Sequence, residues 1–183
     1  MPRWRRGCWR AAIGSSGDAM KIPERLIEFL NQNQVHYEIV HHPVAFTAQE
    51  LAAIEGVKGH EHAKVVMAKA GTRLVMLVLS ASRRVDWERV RELIGEALTL
   101  AVEADFRERF PDCQIGTMPP FGRLYGVEML MDAEFSLNTR LAFEAGTHSD
   151  AIKMSYADFA RLAQPELVDF SEKVRLNKVR IAL

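Results

Sequence analysis

Apolar and polar positions alternate along the chain with two different periods, and the period changes several times. Apolar residues three or four positions apart predict helices, whereas strict alternation predicts half-buried strands. Asp86 and Ser155 each precede a helical pattern and are suited to capping its first turn. Helices are expected over 22–32, 47–54, 87–94, 103–110 and 156–163.

Runs rich in β-branched and other apolar residues predict strands between these helices. Ala70-Gly71-Thr72 separates two such runs and indicates a β-hairpin. Helices and strands follow one another too irregularly for a doubly wound parallel sheet, so a sheet that contains hairpins is favoured. Strands are expected over 35–40, 64–68, 73–79, 126–131, 141–145 and 151–154.

The composition is that of an ordinary globular domain. The chain has 183 residues, of which 48% are hydrophobic, enough for one domain with a substantial core. Charged residues or glycines interrupt every apolar run before it reaches the roughly 18–20 residues that cross a bilayer, so no membrane partner is expected. Cys8 and Cys113 lie far apart and form neither a disulfide framework nor a CxxC zinc pair. A reducing, cytoplasmic location is therefore expected.

The two ends differ in charge from the rest of the chain. Each end, 1–19 and 171–183, carries four basic residues and one acidic residue. Of the 24 basic and 24 acidic residues, 16 and 22 remain in 20–170, which leaves a net charge of −6 there. Because positive charge is the main source of sequence-independent affinity for nucleic acids, a surface that coats RNA or DNA is not expected. Any contact with a nucleic acid must be local, or must use the basic C-terminal end.

The segment 1–19 allows two interpretations. Its basic and aromatic residues could form an arm for RNA, or it could be an extension in front of a true start at Met20. Gly14-Ser15-Ser16-Gly17 is linker-like, and the apolar core of a signal peptide is missing. The extension is the favoured interpretation.

The segment Gly116-Thr117-Met118-Pro119-Pro120-Phe121-Gly122 holds four Gly or Pro residues between apolar runs. Glycine lets a ligand approach the main chain closely, and consecutive prolines stiffen the backbone around them. The pattern is typical of a rigid loop that presents backbone groups. A simple turn without a ligand is the alternative, because most Gly/Pro clusters are only turns.

This loop and five other segments together resemble a known family. They are His41-His42-Pro43, Ala63-Lys64-Val65-Val66, Pro111-Asp112-Cys113, the loop 116–122, Gly146-Thr147-His148 and Ile152–Phe159. In this order, they resemble the YbaK / prolyl-tRNA synthetase editing-domain family. The resemblance begins near Met20 and covers all but the two ends. It implies an α+β fold with a mixed, mostly antiparallel, curled and barrel-like sheet flanked by helices. It also implies an editing domain over 20–170, between a disordered extension, 1–19, and a basic tail, 171–183.

The resemblance assigns roles to ten residues. In the family, the lysine at the position of Lys64 is essential, and backbone amides of a G-x-x-x-P loop bind the ester carbonyl. A glycine-histidine segment helps to select the aminoacyl group, although a histidine that only holds its own loop is an equal alternative here. The expected catalytic residues are Lys64, Gly116, Thr117 and Met118. The expected substrate-binding residues are Pro119, Pro120, Phe121, Gly146, Thr147 and His148.

The implied function is that of a freestanding deacylase that hydrolyses the ester of a mischarged tRNA, with a small amino acid on tRNA for proline as the expected substrate. No metal and no cofactor are implied, and the expected partners are the tRNA acceptor end and an aminoacyl-tRNA synthetase. A non-catalytic module that binds RNA ends or a synthetase is the alternative. A metal hydrolase that uses His60 and His62 is a third hypothesis, although the H-E-H spacing does not match the zinc-protease pattern.

Overall fold

The computed structural model describes residues 21–43 and 58–174. The helix expected over 47–54 and the N-terminal segment lie outside the described residues. The helices are α1 Glu24–Gln32, α2 Trp87–Ile94, α3 Glu103–Phe106 and α4 Tyr156–Ala163. The strands are β1 Tyr37–His41, β2 His62–Ala70, β3 Arg73–Ser80, β4 Arg83–Val85, β5 Leu98–Leu100, β6 Glu128–Asp132, β7 Arg140–Thr147, β8 Asp150–Ser155, β9 Glu166–Val168 and β10 Ser171–Lys173. No helix in the described part is long and apolar enough to cross a membrane.

Eight strands form one mixed sheet in the order β1-β8-β7-β2-β3-β6-β9, with β5 paired to β2. Strands β2 and β3 form the expected hairpin, in which Gly71 has a φ of +58°. The pairs β2–β7, β3–β6 and β6–β9 are parallel, and the other pairs are antiparallel. The expectation of an α+β fold with a mixed, mostly antiparallel sheet is confirmed, although the sheet does not close into a barrel.

The sheet separates two hydrophobic cores, because alternate residues of its central strands point to opposite faces. The first core receives Met76 and Val78 of β3 and packs against α1 and α4. The second core receives Val75, Leu77 and Leu79 of β3 and includes Val90 of α2 and Phe170. The central strands β2 and β3 are buried on both faces of the sheet, which agrees with their long apolar runs in the sequence.

Helix boundaries follow from local chemistry. The Asp86 carboxylate accepts hydrogen bonds from the N–H groups of Glu88 and Arg89, and the Ser155 hydroxyl accepts one from the N–H of Asp158. The helix expected over 103–110 is shorter than the pattern suggested. After α3 the chain continues as a 3₁₀ turn, Arg107–Arg109, and Pro111 follows directly after Phe110.

Residues 171–173, part of the basic tail in the sequence analysis, form β10 and pair with β4. Arg83 holds this strand, because its guanidinium donates from Nη2 to the carbonyl of Ser171 at 2.7 Å. Ser171 is buried. Ordered structure therefore extends to at least this strand.

Candidate active site

Lys64 lies near the start of β2, on the face that carries the second core. Its neighbours Ala63 and Met67 belong to the first core, whereas Val66 and Ala68 belong with the second. The ammonium of Lys64 is half-buried and donates to the carbonyl of Arg83 at 2.5 Å. It makes no ion pair with any carboxylate in the described part of the chain, and burial lowers the pKa of Lys64 below its ordinary value. An unpaired, partly desolvated cation is suited to binding an anion from outside the protein.

The side chain of Lys64 opens into a cleft between β2, β4 and α2, here called the Lys64 cleft. Its volume is about 780 Å³, which is in the range of small-molecule sites. Its lining is mixed, with apolar side chains beside charged ones. The lining residues are Lys64, Val66, Arg84, Val85, Asp86, Trp87, Glu88, Arg91 and Glu172.

The glycine- and proline-rich loop is fixed against the end of β7. The N–H of Gln114 donates to the carbonyl of Gly146 at 2.8 Å, and the N–H of Gly146 donates to the carbonyl of Thr117 at 2.9 Å. Thr117 is fully buried, and its hydroxyl donates to the carbonyl of Gln114 at 2.9 Å. These hydrogen bonds hold the loop against β7.

This conformation leaves donors of the loop unused. Gly116 has a φ of +93°, a backbone conformation that glycine adopts and L side chains rarely do. Neither its N–H nor that of Met118 donates to an acceptor among the described residues. Fixed, unpaired peptide N–H groups are the donors that stabilise a developing oxyanion in acyl-transfer enzymes.

The residues after Met118 anchor the loop from inside. Pro119 and Pro120 are buried. The Phe121 ring contacts the rings of Phe29, Phe143 and Phe159 with centroid distances of 5.3–5.8 Å. The structure thus places Phe121 in the first core. Within the loop 116–122, Gly116 is exposed, whereas Thr117 and Met118 are buried like the residues that follow them.

His148 lies beside the free amide of the loop. A methyl group placed on Gly116 would be 3.8 Å from Cε1 of His148. The backbone N–H of His148 donates to Oε1 of Gln114 at 2.6 Å, and its Nδ1 lies 3.6 Å from Oε1 of Glu144. The imidazole is 43% exposed, so it can contact a ligand. Thr147 and Gly146, by contrast, are buried and support the turn.

Glu144 is the residue that sequence reasoning missed. Asp150, two positions after His148 in the sequence, accepts from the Thr147 hydroxyl and lies 2.5 Å from Nδ1 of His41. Glu144 is separated from His148 by a β-bulge in β7, which a spacing argument does not predict.

The register between β2 and β7 relates Lys64 to Glu144. Ala63 pairs with Phe143 in the parallel β2–β7 ladder, and both side chains enter the first core. Lys64 and Glu144 follow one residue later, so they point to the opposite face on neighbouring strands, which are about 4.8 Å apart. Lys64 and Glu144 therefore share one face, and His148 lies 3.6 Å from Glu144.

Two separate clefts border these residues. Lys64 opens into the first, and His148 borders the second, which has a volume of about 600 Å³ and is here called the His148 cleft. Phe110 and Cys113 give the His148 cleft an apolar wall, and Gln114 contributes a polar group. Burial raises the pKa of the Cys113 thiol to about 11, so this residue is an inert wall at neutral pH.

The segment His60-Glu61-His62 does not assemble a metal site. Its central carboxylate accepts from Nε of Arg140 at 3.1 Å and from the N–H of Lys58 at 3.0 Å. His62 is buried at the start of β2, whereas His60 is exposed. Residues 21–43 and 58–174 contain no group of three or more His, Cys, Asp or Glu side chains that could hold a metal ion.

Comparison with known proteins identifies similar chains. A curated relative, the multifunctional Ser/Thr-tRNA deacylase ProXp-y of Escherichia coli K12, is 28% identical over 153 residues, covering 80% of this chain and 91% of the relative. A solved structure of a candidate trans-editing enzyme for prolyl-tRNA synthetase matches with a TM-score of 0.72 and 21% identity, covering 81% of this chain and 95% of that one. A scaffold protein used for computational epitope grafting matches with a TM-score of 0.73 and 19% identity, covering 81% and 96%.

The model of the aminoacyl-tRNA editing domain matches residues 42–162, most of the chain. This range contains Lys64, the loop that begins at Gly116, and His148. The chain therefore belongs to the aminoacyl-tRNA editing-domain family.

Proposed function

We propose that this protein is a freestanding hydrolase that cleaves the ester between a small amino acid and the terminal adenosine of a mischarged tRNA. The observation that carries the proposal is the loop at Gly116, which is fixed against β7 yet keeps backbone N–H groups free beside His148. Donors fixed in this way lose nothing to reorganisation when charge develops on a carbonyl oxygen.

The chemistry follows from the groups on this face. The ester carbonyl accepts from the free N–H of Gly116, and a water molecule attacks the carbonyl carbon, helped by the neighbouring ribose hydroxyl. The bond from carbon to the ribose oxygen breaks, and that oxygen leaves with a proton as the hydroxyl of the tRNA. The amino acid leaves as a carboxylic acid and ionises. A donor of this kind contributes about 3–4 kcal/mol to lowering the barrier.

Lys64 is the anchor for the nucleic-acid side of the substrate. Its ammonium has three donors, and the Arg83 carbonyl occupies one of them. A phosphate is a strong acceptor for the other donors, and its charge compensates the partial burial of Lys64. The negative net charge of 20–170 makes such a local anchor necessary, because the surface as a whole repels RNA.

His148 and Glu144 are placed to meet the amino acid. A free aminoacyl-tRNA carries an ammonium group beside the ester, and Glu144 is a carboxylate 3.6 Å from His148 on the same face. The family resemblance favours small side chains such as those of serine, threonine and alanine. Serine and threonine are also the amino acids named for the relative from Escherichia coli.

Deacylation of a panel of aminoacyl-tRNAs tests the proposal. The panel contains alanine, serine, threonine, cysteine and proline on tRNA for proline, together with alanine, serine and threonine on their own tRNAs. Wild-type protein is compared with Lys64→Gln and with Lys69→Gln, a matched lysine of β2 that instead pairs with Asp105. We expect rapid release of at least one species, unaffected by a chelator.

Lys64→Gln is expected to slow this release by about thirtyfold to a thousandfold, the usual effect of removing a charged binding partner. Lys69→Gln should leave it unchanged. If folded wild-type protein released no amino acid from any species, the hydrolase proposal would be abandoned. A non-catalytic module of the same fold would then be the better explanation.

A further inference from the structure

The Lys64 cleft contains a large aromatic side chain that the proposed chemistry does not use. Trp87 is the first residue of α2 and lines this cleft together with Val66 and Val85. It is partly buried and packs against the second core. An indole held in this way loses little conformational freedom when a flat ligand stacks on it, so it is a good platform for a planar group.

Charge in the cleft is divided between groups that are paired and groups that are not. Glu172 is occupied by Arg84 at 2.8 Å, and Asp86 caps α2 and lies 3.3 Å from Arg89. Lys64 and Arg91 make no ion pair with any carboxylate among residues 21–43 and 58–174. Glu88 is the remaining carboxylate of the lining. The cleft therefore offers cations for an anionic ligand beside an aromatic face.

We infer that Trp87 is the stacking platform for the base of the terminal nucleotide, whose phosphate the proposed function assigns to the Lys64 ammonium in the same cleft. This inference rests on the proposed function and extends it to the nucleic-acid half of the substrate. The volume of about 780 Å³ accommodates one nucleotide. Stacking on an aromatic side chain tolerates any base, because every base has a π-face.

The fluorescence of Trp87 tests this inference without any turnover. The chain has three tryptophans, and the other two, Trp4 and Trp9, lie in the N-terminal segment. In the Trp4→Phe/Trp9→Phe variant only Trp87 emits. The probes are adenosine 5′-monophosphate, adenosine, and ribose 5-phosphate, which has the phosphate but no base.

Adenosine 5′-monophosphate is expected to quench Trp87 in a saturable manner, and Lys64→Gln should weaken its binding by about tenfold or more. Adenosine should quench at higher concentrations, with little effect of Lys64→Gln. Ribose 5-phosphate should compete with the nucleotide but cause no quenching. Absence of quenching by the nucleotide, or equal quenching by ribose 5-phosphate, would overturn the assignment of the base to Trp87.

Kinetics with the aminoacyl-tRNA substrate separate this inference from the proposed function. Trp87→Leu should raise KM by about tenfold, because stacking of one base on an aromatic side chain usually contributes about that much to binding. It should leave kcat nearly unchanged. Trp87→Phe keeps an aromatic face and should restore most of the loss, which a merely structural role would not explain. Hydrolysis with an unchanged KM in Trp87→Leu would refute the stacking site alone. Quenching by the nucleotide without hydrolysis of any aminoacyl-tRNA would refute the proposed function and retain the nucleotide site.

Discussion

Adding a single methyl group at Gly116 should lower the deacylation rate much more than it lowers the stability of the fold. Its φ of +93° is unfavourable for alanine, although a methyl group would meet nothing closer than His148 Cε1 at 3.8 Å. Gly116→Ala should therefore turn the peptide and move its free N–H. We expect the deacylation rate to fall by about a hundredfold, the usual loss for one oxyanion donor. The free energy of unfolding should fall by about 1–2 kcal/mol.

Gly71→Ala is the matched control for this substitution. Gly71 also has a positive φ, +58°, and has no atom within 4 Å of an added methyl group. It lies in the β2–β3 hairpin, so the backbone strain should be similar while deacylation stays at the wild-type rate. Equal losses of activity in the two variants, measured with unfolding in urea, would show that Gly116 acts only through stability.

At the residue scale, the sequence identifies groups more easily than their orientation. The glycines, prolines and histidine of the two loops are visible as short motifs, and the structure brings Gly116, Thr117, Gly146 and His148 together. The face on which Lys64 lies depends on the register between β2 and β7, which joins residues about eighty positions apart. Local patterns contain no information on that pairing, nor on the β-bulge that separates Glu144 from His148.

Helix α1 depends on a close contact with β7 at Gly146. A methyl group on Gly146 would lie 2.4 Å from Cδ and 2.6 Å from Cγ of Pro23, which precedes the helix. The proline ring is rigid, so Gly146→Ala must displace the start of α1. We expect a loss of about 2–4 kcal/mol in the free energy of unfolding, from overpacking and the φ of +88° together.

A double-mutant cycle with Pro23→Ala isolates the collision from the backbone strain. Pro23→Ala should restore about half of the stability that Gly146→Ala removes, because it relieves the collision but not the strain. Gly95→Ala, at a φ of +71° with open space around it, measures the strain alone. Additive effects of Gly146→Ala and Pro23→Ala, measured by urea unfolding, would contradict this explanation of the position of α1.

At the element scale, the long elements could be predicted and the short strands could not. The patterns predicted β2, β3, β7 and β8 to within two residues at either end, and capping residues placed the starts of α2 and α4. No pattern in the sequence indicated β4, β5, β9 or β10, each only three residues long. Three residues are too few for a period of two, and pairing with distant partners decides their conformation. Two of these strands, β4 and β10, carry walls of the Lys64 cleft.

The molecule as a whole has a junction between β7 and β2. On one side lie β1, β8 and β7, and on the other lie β2, β3, β6 and β9. The ladder between β2 and β7 contains only two residue pairs. The Glu61 carboxylate strengthens it by accepting from Nε and Nη2 of Arg140 at 3.1 and 3.4 Å. Residues on both sides of this junction form the candidate site, so the stability of the junction affects function.

Acid should weaken this junction. Burial raises the pKa of Glu61, but hydrogen bonds from Arg140 and from the N–H of Lys58 outweigh it and hold the pKa below its ordinary value. A carboxyl whose pKa is lower in the folded state stabilises the protein above its unfolded value, about 4.3 for glutamate. That contribution is lost as the pH falls through the folded value. Glu61→Gln should cost about 1 kcal/mol at pH 7, since Arg140 is exposed and screened, and should flatten the decline below about pH 4.

The free energy of unfolding in urea, measured between pH 3 and pH 7, checks this prediction. The control is Glu166→Gln in β9, an exposed glutamate without an ion pair among the described residues, which should follow the wild-type curve. If Glu61→Gln also followed the wild-type curve, the junction would owe nothing to this ion pair. If the curve of Glu61→Gln is flatter, as we expect, the wild-type protein should lose deacylation activity in acid because this junction is lost. Lys64 keeps its charge under these conditions. Activity measured beside circular dichroism at each pH distinguishes that outcome from a titrating catalytic group, because the two signals should then decline together.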